Sequence, residues 1–166
     1  MAIRNPADLK DLAATGRRLM GVDLGSKTIG LALSDTRHML ASPLETIRRT
    51  KFTADAARLR TLIAAHGIGA LVIGLPVAMD GSEGPRCQSV RQFAANLLET
   101  IDIPIVFWDE RLSTAAVTRG MIAADLTRKR RAALVDRAAA AYILQGFLDY
   151  LGHLPPAAPP AVFTDS

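Results

Sequence analysis

Between Leu19 and Ser34 the chain alternates in a period of two, twice over, about a short glycine turn. Such alternation sends successive side chains to opposite faces of a strand. Met20, Val22 and Leu24 therefore share one face of a first strand, and Gly21, Asp23 and Gly25 share the other. The second strand divides likewise, with Ile29, Leu31 and Leu33 on a bulky face and Gly30, Ala32 and Ser34 on a small one. Asp23 thus sits mid-strand on a face stripped of bulk. An acid there is unfavourable by propensity and costly to bury alone, so it reads either as a hydrogen-bonded structural acid or as part of a metal or phosphate site.

The rest of the chain follows the same logic. Residues 1–17 hold a short helical pattern from Pro6 to Ala14 and read as an extension. Asp35 suits a turn in which its carboxylate bonds the following backbone, and Pro43–Arg48 reads as a third strand. Thr53 is a plausible N-cap for a helix carrying Ala56, Leu59, Leu62 and Ile63, which Gly67 ends. Ala70–Leu75 is a continuous apolar run of the kind buried on both faces of a sheet. The turn-rich loop Pro76–Gly84 follows at its carboxyl end, where open α/β sheets bind ligands. A helix from Arg86 to Thr100 leads to a strand, Ile103–Glu110, that ends in two adjacent acids. Alternation groups Asp109 with Phe107 and Glu110 with Trp108, so only one of the two acids can share a face with Asp23. Ser113 then reads as the N-cap of a helix through Ala123, and a long helix runs from Lys129 to Leu151. Five strands with interleaved helices make a mixed sheet of the α/β class. The expected domain covers residues 18–151, and the proline-rich residues 152–166 read as a poorly ordered tail.

Composition narrows the picture. A hydrophobic share of 49% and a charged share of 22% in 166 residues describe one ordinary globular domain. No stretch resembles a membrane span or a signal-peptide core, so the expected location is the cytoplasm and no membrane partner is expected. The lone Cys87 excludes an internal disulfide, and His38, His66 and His153 lack ligand spacing. Net charge is +4. Its distribution matters more, because Arg48, Arg49 and Lys51 form one cluster and Arg128, Lys129, Arg130 and Arg131 a denser one. Either is a solvated face or a polyanion contact.

The denser cluster lies just before an acid on the last helix, Asp136. Its helical neighbours Ala132, Ala133, Ala139 and Ala140 include no base, and their small size allows close packing on a sheet. Asp23, Asp136 and one of Asp109 or Glu110 therefore call for one explanation. Converging carboxylates repel one another unless cations neutralise them, and carboxylate oxygens suit Mg²⁺ or Mn²⁺ rather than zinc. Two such ions about 3.5–4 Å apart are the apparatus of phosphodiester hydrolysis. Lys27, Arg111 and Arg128–Arg131 would then attract a nucleic-acid backbone.

The elements GVDLGSKTIGLALSD, VIGLPVAMDGSEGPR, DERLST and VDRAAAAYIL, in this order and spacing, resemble the YqgF (RuvX) family of RNase H-like proteins. The resemblance spans residues 19–145. It implies an RNase H-like fold whose first three strands are antiparallel, an acidic metal site, and activity as a pre-16S rRNA nuclease; the family was earlier described as Holliday junction resolvase-like. Carried over by position, the metal and catalytic acids are Asp23, Glu110 and Asp136, with Asp109 as the substitute for Glu110. Many relatives have arginine where this chain has Thr28, which leaves Lys27 as the substrate contact of that motif.

Three other readings compete. D-x-G in a hairpin also begins actin-like ATPases and sugar kinases, but those generally need two related domains, and this chain has no second such hairpin. A non-catalytic nucleic-acid-binding module for ribosome assembly would make the acids structural. Branched DNA instead of precursor rRNA is the runner-up substrate, and four-way junctions favour a homodimer over a monomer.

Overall fold

A computed structural model describes residues 3–112 and 128–155, with residues 128–137 described by their backbone alone. A 3₁₀ helix, Pro6–Thr15, precedes β1 (Arg18–Leu24), β2 (Thr28–Ser34) and β3 (Ala41–Arg48). Helix α1 (Phe52–His66), β4 (Ile68–Leu75), α2 (Pro85–Leu98) and β5 (Ile105–Asp109) follow. A short 3₁₀ turn, Glu110–Leu112, ends this stretch, and α3 spans Arg128–His153. The expected helix from Ser113 to Ala123 lies outside the described residues, as does the tail from Pro156.

The strands form one sheet in the order β3-β2-β1-β4-β5. Its first three members are antiparallel, and β4 and β5 pair in parallel with β1 and with each other. This is the expected mixed five-stranded sheet. Alternation divides its core in two. Met20, Val22, Ile29, Leu31, Leu71, Ile73 and Ile105 pack toward Leu59 of α1 and Phe93 and Leu97 of α2. Leu19, Ala32, Ala70, Val72, Val106 and Trp108 pack toward Ala140, Ile143, Leu144 and Phe147 of α3. All eight residues of β4 are buried, as a strand covered on both faces should be.

Several local expectations shift. Helix α1 begins at Phe52 with Lys51 as N-cap, ahead of Thr53, and neither residue supplies a side-chain cap. Instead Asp55, one turn in, accepts hydrogen bonds from the backbone N–H and the hydroxyl of Thr50 at 3.3 and 3.4 Å, tying the entry down from inside. Gly67 ends α1 in the left-handed conformation, φ 62°. Helix α2 stops at Leu98, and α3 continues through Gly152 to His153. Cys87 is buried and donates to the Pro76 carbonyl at 3.2 Å, a packed thiol.

The extension is docked on the domain. Leu9 is buried against the α3 side of the core, and the Lys10 ammonium donates to the Leu151 carbonyl at 2.6 Å. Ile3 bridges to Ile105 in parallel, and the Arg4 N–H donates to the Ile105 carbonyl at 2.8 Å, covering the outer edge of β5. On the opposite edge, β3 carries Pro43 opposite Ala32, beside a register shift between Leu31 and Ala32. Among the described residues no helix is long and apolar enough to cross a membrane.

Candidate active site

Asp23 is 4% exposed and lies on the α3 side of β1. Its neighbours on that face are glycines. Gly21 and Gly25 precede and follow it along the strand, and Gly30 is its partner on β2. On β4, Val22 pairs with Ile73, so the next rung sets Asp23 beside Gly74. The carboxylate therefore rises from a floor without side chains.

The same floor explains how α3 comes so close. A Cβ on Gly21 would stand 2.8 Å from the Ala140 carbonyl and 2.8 Å from Leu144 Cβ. A Cβ on Gly74 would stand 2.6 Å from Ile143 Cδ1 and 2.8 Å from Glu110 Oε1. Neither strand position tolerates a methyl group without displacement of the helix or of the Glu110 carboxylate. The sequence reading gives Gly74 no role of its own beyond its place in VIGLPVAMDGSEGPR, although a period of two along Ala70–Leu75 sets it on the same face as Ala70 and Val72.

Gly74 also separates the two terminal acids of β5. The pairs Gly74↔Trp108 and Leu75↔Asp109 set the register, and Trp108 packs with the α3 side of the core while Phe107 packs with the other. Glu110, in the 3₁₀ turn just past the strand, lays its carboxylate over Gly74, on the face of Asp23. Asp109 turns to Arg111. Arg111 donates from its backbone N–H at 2.9 Å and from Nη2 at 2.7 Å, and the guanidinium hydrogen bond holds the Asp109 carboxyl below the usual carboxylate range. Asp109 is thus bonded to Arg111, whereas the Glu110 carboxylate shares the glycine floor with Asp23.

Asp136 lies in α3 one helical turn before Ala140, roughly 6 Å of rise. Its side chain lies outside the described ones, as do those of Arg128, Lys129, Arg130 and Arg131. Among the described residues, no group of three or more His, Cys, Asp or Glu side chains stands ready to hold a metal ion. Of the three expected acids Asp23, Glu110 and Asp136, the side chains of Asp23 and Glu110 are described.

Two unlike rims flank that pair. The Pro76–Gly84 loop is braced by Ala78 N–H to the Ser82 carbonyl at 3.0 Å and Gly81 N–H to the Ala78 carbonyl at 2.8 Å. Gly81 makes the turn with φ 87°. Its charges are neutralised locally. The Ser82 hydroxyl and N–H hold Asp80 below its ordinary pKa, Arg91 does the same for Glu83, and Arg111 Nη1 reaches the Met79 carbonyl at 3.4 Å. Arg111 thus bonds both Asp109 and this loop. Across the site, Lys27 is exposed on the β1–β2 turn, which closes with the Gly25 N–H on the Thr28 carbonyl at 2.8 Å.

Both the sequence and the fold have relatives among known proteins. The family model described as "RuvX: Holliday junction resolvase" matches residues 17–150. A protein of Paramagnetospirillum magneticum named "Putative pre-16S rRNA nuclease" is 62% identical over 149 residues, 90% of this chain and 96% of its own. One of Roseobacter denitrificans with the same name is 57% identical over 151 residues, covering 90% and 93% of the two chains. Among solved structures, "T. thermophilus RuvC in complex with Holliday junction substrate" gives a TM-score of 0.53 at 14% identity, covering 82% of this chain and 96% of that one. That likeness shows the fold, which is RNase H-like.

Proposed function

The chain belongs to the RuvX family, and from that premise we propose that it is a metal-dependent nuclease acting on phosphodiester bonds of precursor 16S rRNA during 5′-end maturation. The observation that carries the chemistry is the pairing of Asp23 and Glu110 across the bare Gly74 at the carboxyl ends of parallel strands. Open α/β sheets bind their ligands at such ends.

The donor set fits a hard divalent cation. Carboxylate oxygens without histidine or cysteine suit Mg²⁺ or Mn²⁺, and the missing Cβ at Gly74 leaves room above the strand. Asp23 and Glu110 would hold the cation, with Asp136 as the third acid arriving from α3. When bound, one or two such ions supply charge for the scissile phosphate and acidify a coordinated water. The protein's own part is positional. Asp23 would be fixed by the buried strand β1 and Glu110 by the turn that leaves β5 over Gly74, with the buried Ile143 and Trp108 closing the inner end of the site. Lys27, with Arg128, Lys129, Arg130 and Arg131, would hold the backbone of the substrate. Arg111 would serve by keeping the 76–84 loop in place, and Asp109 by keeping Arg111 there.

The test offers purified protein a precursor 16S rRNA bearing its 5′ leader beside a four-way DNA junction, in Mg²⁺, in Mn²⁺ and in chelator. Metal-dependent cutting of the RNA, abolished in Asp23→Asn and Asp136→Asn, is the expected result. The description of the family model favours branched DNA as the second reading, and cutting of the junction alone would establish it. Equal cleavage by wild type and both variants would remove the proposed site.

A further inference from the structure

Arg48, Arg49 and Lys51 take no part in the acid site, yet the sheet carries them to its rim. Thr28 pairs with Arg48, so the end of β3 lies directly beside the β1–β2 turn that bears Lys27. The Arg49 N–H donates to the Lys27 carbonyl at 2.8 Å, and Arg49 Nη1 donates to the Gly25 carbonyl at 2.7 Å. The same guanidinium stands 5.7 Å over the Phe93 ring of α2. Arg49 thus clamps the turn onto β3 and α2, while Lys27, Arg48 and Lys51 point their charge at solvent.

No acid occurs in residues 24–34 or 46–54. The acids that bound the second stretch are both engaged, Glu45 with Arg58 and the buried Asp55 with Thr50. Among the described residues the ion pairs are those of Arg58 with Glu45, Arg91 with Glu83 and Arg111 with Asp109, and none joins a carboxylate to Lys27, Arg48 or Lys51. A cluster of like charge this close to Asp23, two residues or roughly 7 Å of strand from Gly25, raises the local potential where a polyanion would lie.

We propose that Lys27, Arg48 and Lys51 form a second phosphate-binding ledge. It would hold the backbone of the nucleic-acid strand on the β2–β3 side of the scissile bond, with Arg49 as the positioning residue that fixes the turn. The proposal rests on the nuclease reading for its substrate but not for its test. The ligand chemistry is the phosphodiester, so RNA and DNA backbones are bound alike.

Binding of a fluorescein-labelled RNA hairpin with a single-stranded 5′ leader, and of the matching DNA hairpin, is measured in chelator over a range of salt concentrations. Removing one cation that neutralises a phosphate lowers the slope of log K against log salt by about 0.7–0.9. The triple variant Lys27→Gln, Arg48→Gln, Lys51→Gln should therefore reduce that slope by about 2–3 on both hairpins. A charge-matched triple at the opposite end of the sheet, Arg4→Gln, Arg17→Gln, Arg37→Gln, should keep it. Arg49→Ala should weaken binding, and Arg49→Lys, which keeps a donor for the Gly25 carbonyl, should restore it. An equal reduction in both triples, a wild-type slope in the ledge triple, or a reduction on only one kind of hairpin would overturn the proposal. Because binding is read without turnover, a protein that binds with the expected slopes and never cleaves overturns the nuclease reading and leaves the ledge standing.

Discussion

The two faces of the central strands are built on opposite rules. Toward α1 and α2, Met20, Val22, Ile29, Leu31, Leu71 and Ile73 fill space, and each is fully buried. Toward α3, Gly21, Gly30, Ala32 and Gly74 vacate it, so that a helix backbone and two carboxylates approach the strands themselves. The first face holds the sheet together by apolar burial, worth about 1.5–3 kcal/mol for each large side chain. The second buries Leu19, Val72, Val106 and Trp108 against α3 but gives up bulk at Gly21, Gly30 and Gly74 in exchange for position. The first face is packed throughout, and the second is opened locally beside Asp23.

Substitutions can break that division or sharpen it. The largest effect should come from Asp23→Asn, which removes a charge from the glycine floor without changing its shape. RNA cleavage should fall by on the order of 10³-fold or more, with the thermal midpoint near that of wild type. A midpoint that drops sharply would make Asp23 a structural acid instead. Next is Gly74→Ala, whose methyl would displace Glu110 Oε1 or Ile143 Cδ1. Cleavage should fall about 10²-fold, the cost of misplacing a catalytic group by an ångström, and overpacking should take about 1–3 kcal/mol from the unfolding free energy.

Leu71→Ala tests the other face. It should cost about 2–5 kcal/mol in urea unfolding while kcat at temperatures well below the midpoint stays within a few fold. If kcat collapsed with stability intact, the faces would not be independent. The smallest effect belongs to Arg111→Ala. Asp109 has its pKa lowered in the folded state by the Arg111 hydrogen bonds, so the pair stabilises the fold above the ordinary carboxylate pKa and loses that contribution as pH falls through the folded value. The variant should accordingly show a shallower loss of stability on acidification than wild type. The pair is partly exposed, and its deletion should cost far less than Leu71→Ala.

Alternation alone is enough to read the sheet, its two-sided burial and the place of Asp23 on the small-residue face, because those follow from a period of two. It cannot choose between Asp109 and Glu110. That choice depends on the parallel register of β5 against β4 and on the chain leaving strand geometry at Glu110, and both are tertiary facts. Asp136 is legible as an acid on an alanine stripe, since helical spacing is local. The start of α1 is not, because the Thr50–Asp55 bonds replace the capping side chain that Thr53 would have signalled. Arg49 reads in the sequence as one more surface charge, since nothing local shows that its guanidinium reaches back to Gly25.

The margins of the sheet carry a last consequence. One is covered by the Ile3 bridge and the Arg4 N–H, and the other is interrupted by Pro43 and its adjoining irregularity. A proline offers no N–H to an incoming strand, and an irregular edge bends away from the flat template that strand addition needs. The two devices differ in permanence. Pro43 is written into the strand, whereas the cover on β5, among the described residues, is the Ile3 bridge and the Arg4 N–H, so proteolysis near residue 5 would convert one quiet margin into an adhesive one. Aggregation of a stored sample should begin at β5.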